Sequence, residues 1–164
     1  MILKTIGCVT KEEFESFSCG QSDLDKYFKY HALLNDKNGY GKTFVLYDED
    51  VVVGFFTLCS ASIKFEEFPK RHSLPKYPIP SIRIARLAVS KEHQGKGYGK
   101  ELLTQAFLRI LSVASSIGIK LIIVDAKETS ASFYEHYGFI RLRLNEPCYY
   151  LLLETLVSAL SLDD

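Results

Sequence analysis

Charge of one sign is what this 164-residue sequence most plainly lacks: 20 Lys and Arg stand against 20 Asp and Glu. So balanced a chain is not a histone-like or polybasic nucleic-acid binder, whose affinity rests on many phosphate-neutralising cations, although a local basic patch is still allowed. Long apolar runs are missing too. The longest stretches, such as Leu121 to Val124 and Tyr149 to Leu153, fall far short of the roughly 20 residues needed to cross a bilayer. Met1 to Cys8 has neither the apolar stretch nor the small-residue cleavage site of a secretory signal, which points to the cytoplasm. The four cysteines, Cys8, Cys19, Cys59 and Cys148, lie 11, 40 and 89 positions apart, with no Cys-x-x-Cys pair and no nearby histidine pair. Reduced thiols are expected, and no metal site.

Apolar material is plentiful, at 47% hydrophobic and 13% aromatic residues, enough to bury a core in a chain of one domain's length. Residues 1 to 7 read as a short strand. Ser22-Asp23-Leu24-Asp25 reads as a helix start, with Ser22 as the cap and two acids in the first turn. Leu24, Tyr27, Phe28, His31 and Leu34 then recur at helical spacing, predicting a helix over 22–37 that Asn38-Gly39 closes. Thr43 to Tyr47 and Val51 to Ser60, separated by Asp48-Glu49-Asp50, read as an antiparallel hairpin. Four of the five prolines fall between 69 and 80 and predict a loop.

Ser81 to Val89 returns to strand character. A helix with Leu102, Leu103, Ala106, Phe107, Ile110, Leu111 and Ala114 on one stripe follows, and Ile119 to Val124 reads as a strand buried on both faces. Ser130 to Tyr137 reads as a short helix stopped by Gly138. Two more strands, Phe139 to Leu144 and Cys148 to Leu153, and a helical turn at Thr155 to Leu160 complete the chain. With no repeat or linker, one α/β domain over residues 1–164 is expected.

The segment with most chemistry is Leu87-Ala88-Val89-Ser90-Lys91-Glu92-His93-Gln94-Gly95-Lys96-Gly97-Tyr98-Gly99-Lys100, a strand that runs through a glycine-rich turn into a helix. Such a turn presents backbone amides at a helix N-terminus, an anion site, and Lys96 and Lys100 add positive charge. A dinucleotide fingerprint from Gly95 would need glycine at position 100, which is Lys100, and a Walker loop would need lysine at 101, which is Glu101. What fits is Gln-x-x-Gly-x-Gly at Gln94, Gly97 and Gly99.

That turn, the strand before it, and Phe133-Tyr134-Glu135-His136-Tyr137-Gly138-Phe139 some 40 residues later resemble the GCN5-related N-acetyltransferase (GNAT) family over nearly the whole chain. The resemblance implies an α/β (α+β) fold, with a mixed, mostly antiparallel central sheet flanked by helices and a splayed central strand. It also implies acetyl-CoA as co-substrate. Carried over by position, Leu87, Ala88 and Val89 would line the pantetheine arm, and Gln94, Gly95, Lys96, Gly97, Tyr98, Gly99 and Lys100 the phosphates. The family often has asparagine, a cofactor contact, seven residues before the tyrosine matching Tyr134; here Lys127 stands there. Phe17 to Phe28, Arg86-Leu87-Ala88-Val89 and Val124-Asp125-Ala126 further resemble the branch containing bacterial toxins that acetylate aminoacyl-tRNA. Possession of a small antitoxin and of tRNA as partners would follow from that branch. A second copy is the other candidate partner, paired through an exposed C-terminal edge strand.

Acetyl transfer to an amine needs a neutral nucleophile, an oxyanion donor and a proton for the departing thiolate. Tyr134 is the expected acid. Its phenol, with a pKa of about 10, faces a thiol of about 8.5, an uphill gap near 2 kcal/mol. A backbone amide near Leu87 is a plausible oxyanion donor. No general base stands out: His93 lies in the phosphate turn and His72 in the proline loop, and both read as solvated. Without one, an α-amine of pKa about 8 is an easier acceptor at pH 7 than a lysine-like amine of about 10.4. Arg86, and less so Arg83, are candidate contacts for an anionic acceptor such as tRNA phosphate. The competing class is a non-catalytic CoA-, partner- or RNA-binding module. Charge is not evenly spread: residues 1–63 carry a net −3, 64–109 a net +6 and 110–164 a net −3. The neutral total hides a basic centre around the strand and turn.

Overall fold

The computed structural model describes residues 1–69 and 73–161, so His72 lies outside the described residues. Its strands are β1 (Ile2–Thr5), β2 (Lys42–Asp48), β3 (Val51–Ile63), β4 (Ile79–Val89), β5 (Leu121–Asp125), β6 (Ile140–Arg141) and β7 (Cys148–Leu152). Its helices are α1 (Lys11–Ser16), α2 (Ser22–Lys26), α3 (Ala32–Lys37), α4 (Tyr98–Ala114), α5 (Glu128–His136) and α6 (Leu153–Ser161), and a π turn, Tyr27–His31, joins α2 to α3. Among the described residues the strands form one sheet in the order β1-β2-β3-β4-β5-β7-β6. Pairing is antiparallel for β1 with β2, β2 with β3, β5 with β7 and β6 with β7, and parallel for β4 with β5. The mixed, mostly antiparallel sheet expected from the sequence is therefore present.

The chain divides into two compact units: Met1–Cys59 with Ala85–Ser112, and Ser60–Ile84 with the chain from Val113 on. In the first, Glu49 and Asp50 take φ of +46° and +64° and turn the β2–β3 hairpin, the twist that tight hairpins require. Phe17, Tyr27, Phe28, Phe55 and Ala88 are buried together in its core. Rings of Phe17 and Phe28 lie 4.7 Å apart, and Phe28 stacks on Phe55 at 4.7 Å. Across the π turn Tyr27, Phe28 and then Ala32 are buried while Lys29, Tyr30 and His31 all face out, so His31 leaves the stripe on which its sequence spacing had placed it. One inserted residue re-aims the helix face there. In the second unit, β5 is buried from Leu121 to Val124, as its unbroken apolar run predicts, and Leu121, Ile123 and Tyr150 pack with Phe68 and Ile79.

Several expectations are corrected. Helix α1, not anticipated, starts with a capping box in which Thr10 Oγ1 accepts from the Glu13 amide at 3.2 Å and Glu13 accepts from the Thr10 amide at 2.7 Å. Ser22 does not cap α2; Gln21 holds the cap position with no side-chain bond. Pro80 belongs to β4, where its missing amide matters little because its carbonyl is the group that bonds, to the Lys120 amide at 2.8 Å. The strand expected over 139–144 shrinks to Ile140–Arg141, and this two-residue strand is the sheet edge opposite β1, beside β7. No helix among the described residues is long and apolar enough to cross a membrane.

Candidate active site

Strand β4 carries the first part of the site. Its parallel register with β5 runs from Ser81↔Leu121 to Ile84↔Val124 and stops, although β4 continues five residues further to Val89. Over that stretch Ala88 is buried in the core of the first unit, and Leu87 and Val89 are half-buried. Gly54 on β3 lets the β4 backbone come close. A Cβ there would sit 2.5 Å from the Ala88 carbonyl oxygen and 2.7 Å from Leu102 Cδ1, distances no side chain tolerates without displacing the strand.

The turn after β4 is pinned from beneath. The Ser90 amide donates to the Val53 carbonyl at 2.8 Å and the Lys91 amide to the Ser18 carbonyl at 2.7 Å. Gln94 turns its amide inward, Nε2 donating to the Cys19 carbonyl at 2.8 Å and to the Val89 carbonyl at 3.1 Å. The 18–20 loop it grips is itself held by Asp25, whose carboxylate accepts from the Cys19 amide at 2.7 Å and Ser18 Oγ at 3.0 Å. Partial burial pushes the Asp25 pKa up, but these bonds outweigh it and leave the carboxyl below its usual range. Tyr98, the first residue of α4, donates its hydroxyl to Asp48 Oδ2, and that bond raises its pKa. His93 bonds Ser90 through Nδ1 at 2.6 Å and sets its ring edge against Tyr98, so it braces the turn.

On this base Gly95 and Gly97 take φ of +74° and +89°. A Cβ at either would meet nothing within 4 Å. The glycines are therefore required by backbone conformation and not by crowding, and the space beside them is open. The first amides of α4 have no partner inside the helix and carry its positive dipole end. Lys96 and Lys100 are exposed beside them, and among the described residues neither is ion-paired. A diphosphate fits this set: open amides, fixed cations and no side chain in the way.

Tyr134 is on α5 in the second unit. Its body is buried against Phe133 and Phe139, with ring centroids 5.1 and 5.6 Å away. Burial drives its pKa well above the ordinary phenol value. Among the described residues its hydroxyl has no hydrogen-bond partner, and no buried side-chain oxygen is left wanting one, so the tip of the phenol stays accessible. Lys127 holds the N-cap position of α5 without a side-chain cap; its carbonyl accepts from the Ser130 amide at 2.9 Å.

The two arginines part company. Arg83 is ion-paired with Asp125. Arg86 is half-buried, places its guanidinium carbon 4.3 Å from the centroid of the Tyr27 ring and donates once, to the Ala85 carbonyl at 3.1 Å. Among the described residues it has no carboxylate partner. The sequence marks Asp25, Asp48 and Tyr27 only as parts of a helix start, a hairpin turn and a helical stripe, and no local pattern assigns them to the site.

Comparison with known proteins bears on this arrangement. Residues 39–141, well over half of the chain, match the family described as acetyltransferase (GNAT) domain. A tRNA-acetylating toxin of Mycobacterium tuberculosis is 37% identical over 145 residues, covering 87% of this chain and 86% of that one. Among solved structures, AtaT complexed with acetyl-methionyl-tRNAfMet superposes with a TM-score of 0.85 at 24% identity, covering 97% of this chain and 98% of its own. A mutant of the AtaT toxin bound to the C-terminus of the antitoxin AtaR and acetyl-CoA gives 0.78 at 23% identity and 97% coverage of each chain.

Proposed function

The chain belongs to the GNAT acetyltransferase family, and from that premise we propose that its acceptor is the α-amino group of an aminoacyl-tRNA. It is an N-acetyltransferase that takes its acetyl group from acetyl-CoA. The observation that carries the reading is the open, doubly glycine-kinked turn at the head of α4, pinned to the 18–20 loop by Gln94. The family match crosses both compact units, which supports one functional domain.

Acetyl-CoA supplies a thioester carbon that a neutral amine attacks directly, with a thiolate as leaving group. The backbone at Gly95 to Lys100 binds the diphosphate, with Lys96 and Lys100 completing its charge. The Leu87 and Val89 amides, freed where the β4–β5 ladder has ended, bond the pantetheine arm, and Ala88 keys the strand into the core. Tyr134 Oη gives the leaving thiolate its proton, and the proton shed by the attacking nitrogen as the amide forms restores the phenol through solvent. Its raised pKa keeps it protonated throughout the neutral range. Burial widens the uphill gap beyond the roughly 2 kcal/mol of the free groups, but a thiolate leaving into the same dry surroundings has its own pKa raised in the same direction.

For the acceptor, the 37% identity to a tRNA-acetylating toxin over most of both chains adds to the chemical preference for α-amines. A small antitoxin partner, as in the AtaT complex, and a cytoplasmic site of action accompany that reading. A thiol-release assay with aminoacyl-tRNA, deacylated tRNA and free amino acids tests it. Release with free amines alone would keep the acetyltransferase and reject the tRNA acceptor.

A further inference from the structure

An arginine that is half-buried and bonded to only one backbone carbonyl is an unusual object. Four other arginines among the described residues are Arg83, on Asp125; Arg143, on Glu67 and Glu146; Arg141, on the Tyr149 hydroxyl and the Leu144 carbonyl; and Arg109, over Phe44. Arg86 makes one hydrogen bond, through Nη1 to the neighbouring Ala85 carbonyl. A guanidinium has five donors in a fixed fork, so most of Arg86's fork is uncommitted. What holds it is the face of Tyr27, 4.3 Å from the guanidinium carbon. Tyr27 is buried and lies in turn over Phe55 with a centroid distance of 6.3 Å and an interplanar angle of 24°. Tyr27 is the first residue of the π turn at Tyr27–His31, and such turns are frequent at functional sites.

We propose that Tyr27 is a positioning residue that holds the Arg86 fork ready for a phosphodiester of the polynucleotide acceptor. The inference rests on the tRNA reading above and adds to it the residue that aims the contact. The chemistry suits a phosphodiester. Cation–π contact fixes the guanidinium plane without neutralising its charge, whereas a carboxylate partner would compete with the incoming anion. Two planar groups in contact also lose little conformational freedom when the anion arrives.

The test measures tRNA binding directly, by fluorescence anisotropy of labelled tRNA against salt, alongside acetyl-CoA affinity and thermal stability for each variant. Arg86→Ala should weaken tRNA binding about three- to tenfold and lower the slope of log K against log salt by roughly 0.7 to 0.9, the loss of one phosphate contact. Tyr27→Leu should reproduce both changes although its charge is unaltered, and the double variant should be no weaker than Arg86→Ala. Tyr27→Phe, which keeps the ring, should bind as the parent protein does. A full salt slope in Tyr27→Leu, additive losses in the double variant, or weak binding in a stably folded Tyr27→Phe would each overturn the proposal. So would a parent protein that binds no tRNA. Thiol release from acetyl-CoA with small amines reads the acetyltransferase separately, so loss of one conclusion is distinguishable from loss of the other.

Discussion

At the scale of single residues, Tyr134 is the group whose chemistry is easiest to isolate. Tyr134→Phe removes one oxygen from a buried aromatic cluster and should lower kcat by about 100-fold or more, with acetyl-CoA affinity, read by calorimetry, little changed. Retained turnover would assign the proton to another donor. Because burial holds the Tyr134 phenol protonated far into the alkaline range, the rise of kcat/KM between pH 6 and 9 should follow deprotonation of the acceptor. An α-amine should level off near pH 8 while a lysine-like amine still climbs. A preference for the ε-amine at pH 7 would contradict that. Cys19 and Cys148 carry a different pH signature. Burial pushes both thiols up from 9.0 to about 11. Above pH 9 the unfolded chain releases these protons while the folded chain keeps them, so stability falls as pH rises from about 9 to 11. Urea midpoints at pH 8 and pH 10.5 measure it, and replacing both cysteines with alanine should flatten the difference.

At the scale of elements, the glycines separate two kinds of constraint. Gly54→Ala forces a Cβ against the Ala88 carbonyl and Leu102 and should cost about 1–3 kcal/mol of stability as an overpacked contact. Gly97→Ala meets open space but must hold φ at +89°, a strain of about 1–2 kcal/mol. Its effect should appear mainly as roughly tenfold weaker acetyl-CoA binding, with the denaturation midpoint shifted less than in Gly54→Ala. The sequence made the turn legible because Gln94-x-x-Gly97-x-Gly99 follows a strand and precedes a strongly periodic helix. The hairpin at 48–50 and the buried run of β5 were equally plain. What stayed hidden was held together over long separations. Gln94 reaches the Cys19 carbonyl across 75 positions and Tyr98 reaches Asp48 across 50, and no local pattern encodes either. The π turn was invisible because Tyr27 and Phe28 both fit an ordinary helical stripe. Helix α1 was the avoidable miss, since Thr10-x-x-Glu13 is a capping box in plain view.

At the scale of the whole molecule, the zero net charge separates into a basic middle, net +6 over residues 64–109, between two acidic flanks. Strand β4, the glycine turn and the start of α4 all lie in that middle segment, where a polyanionic co-substrate and the proposed RNA acceptor would both need cations. Acetyl-CoA binding should therefore weaken with salt. The most direct measurement is thiol release from acetyl-CoA with aminoacyl-tRNA as acceptor. Release matched one for one by acetylated aminoacyl-tRNA, absent with deacylated tRNA and lost in Tyr134→Phe, is the expected result. Salt-sensitive RNA binding without thiol release from any amine would contradict it and leave the fold as a binding module.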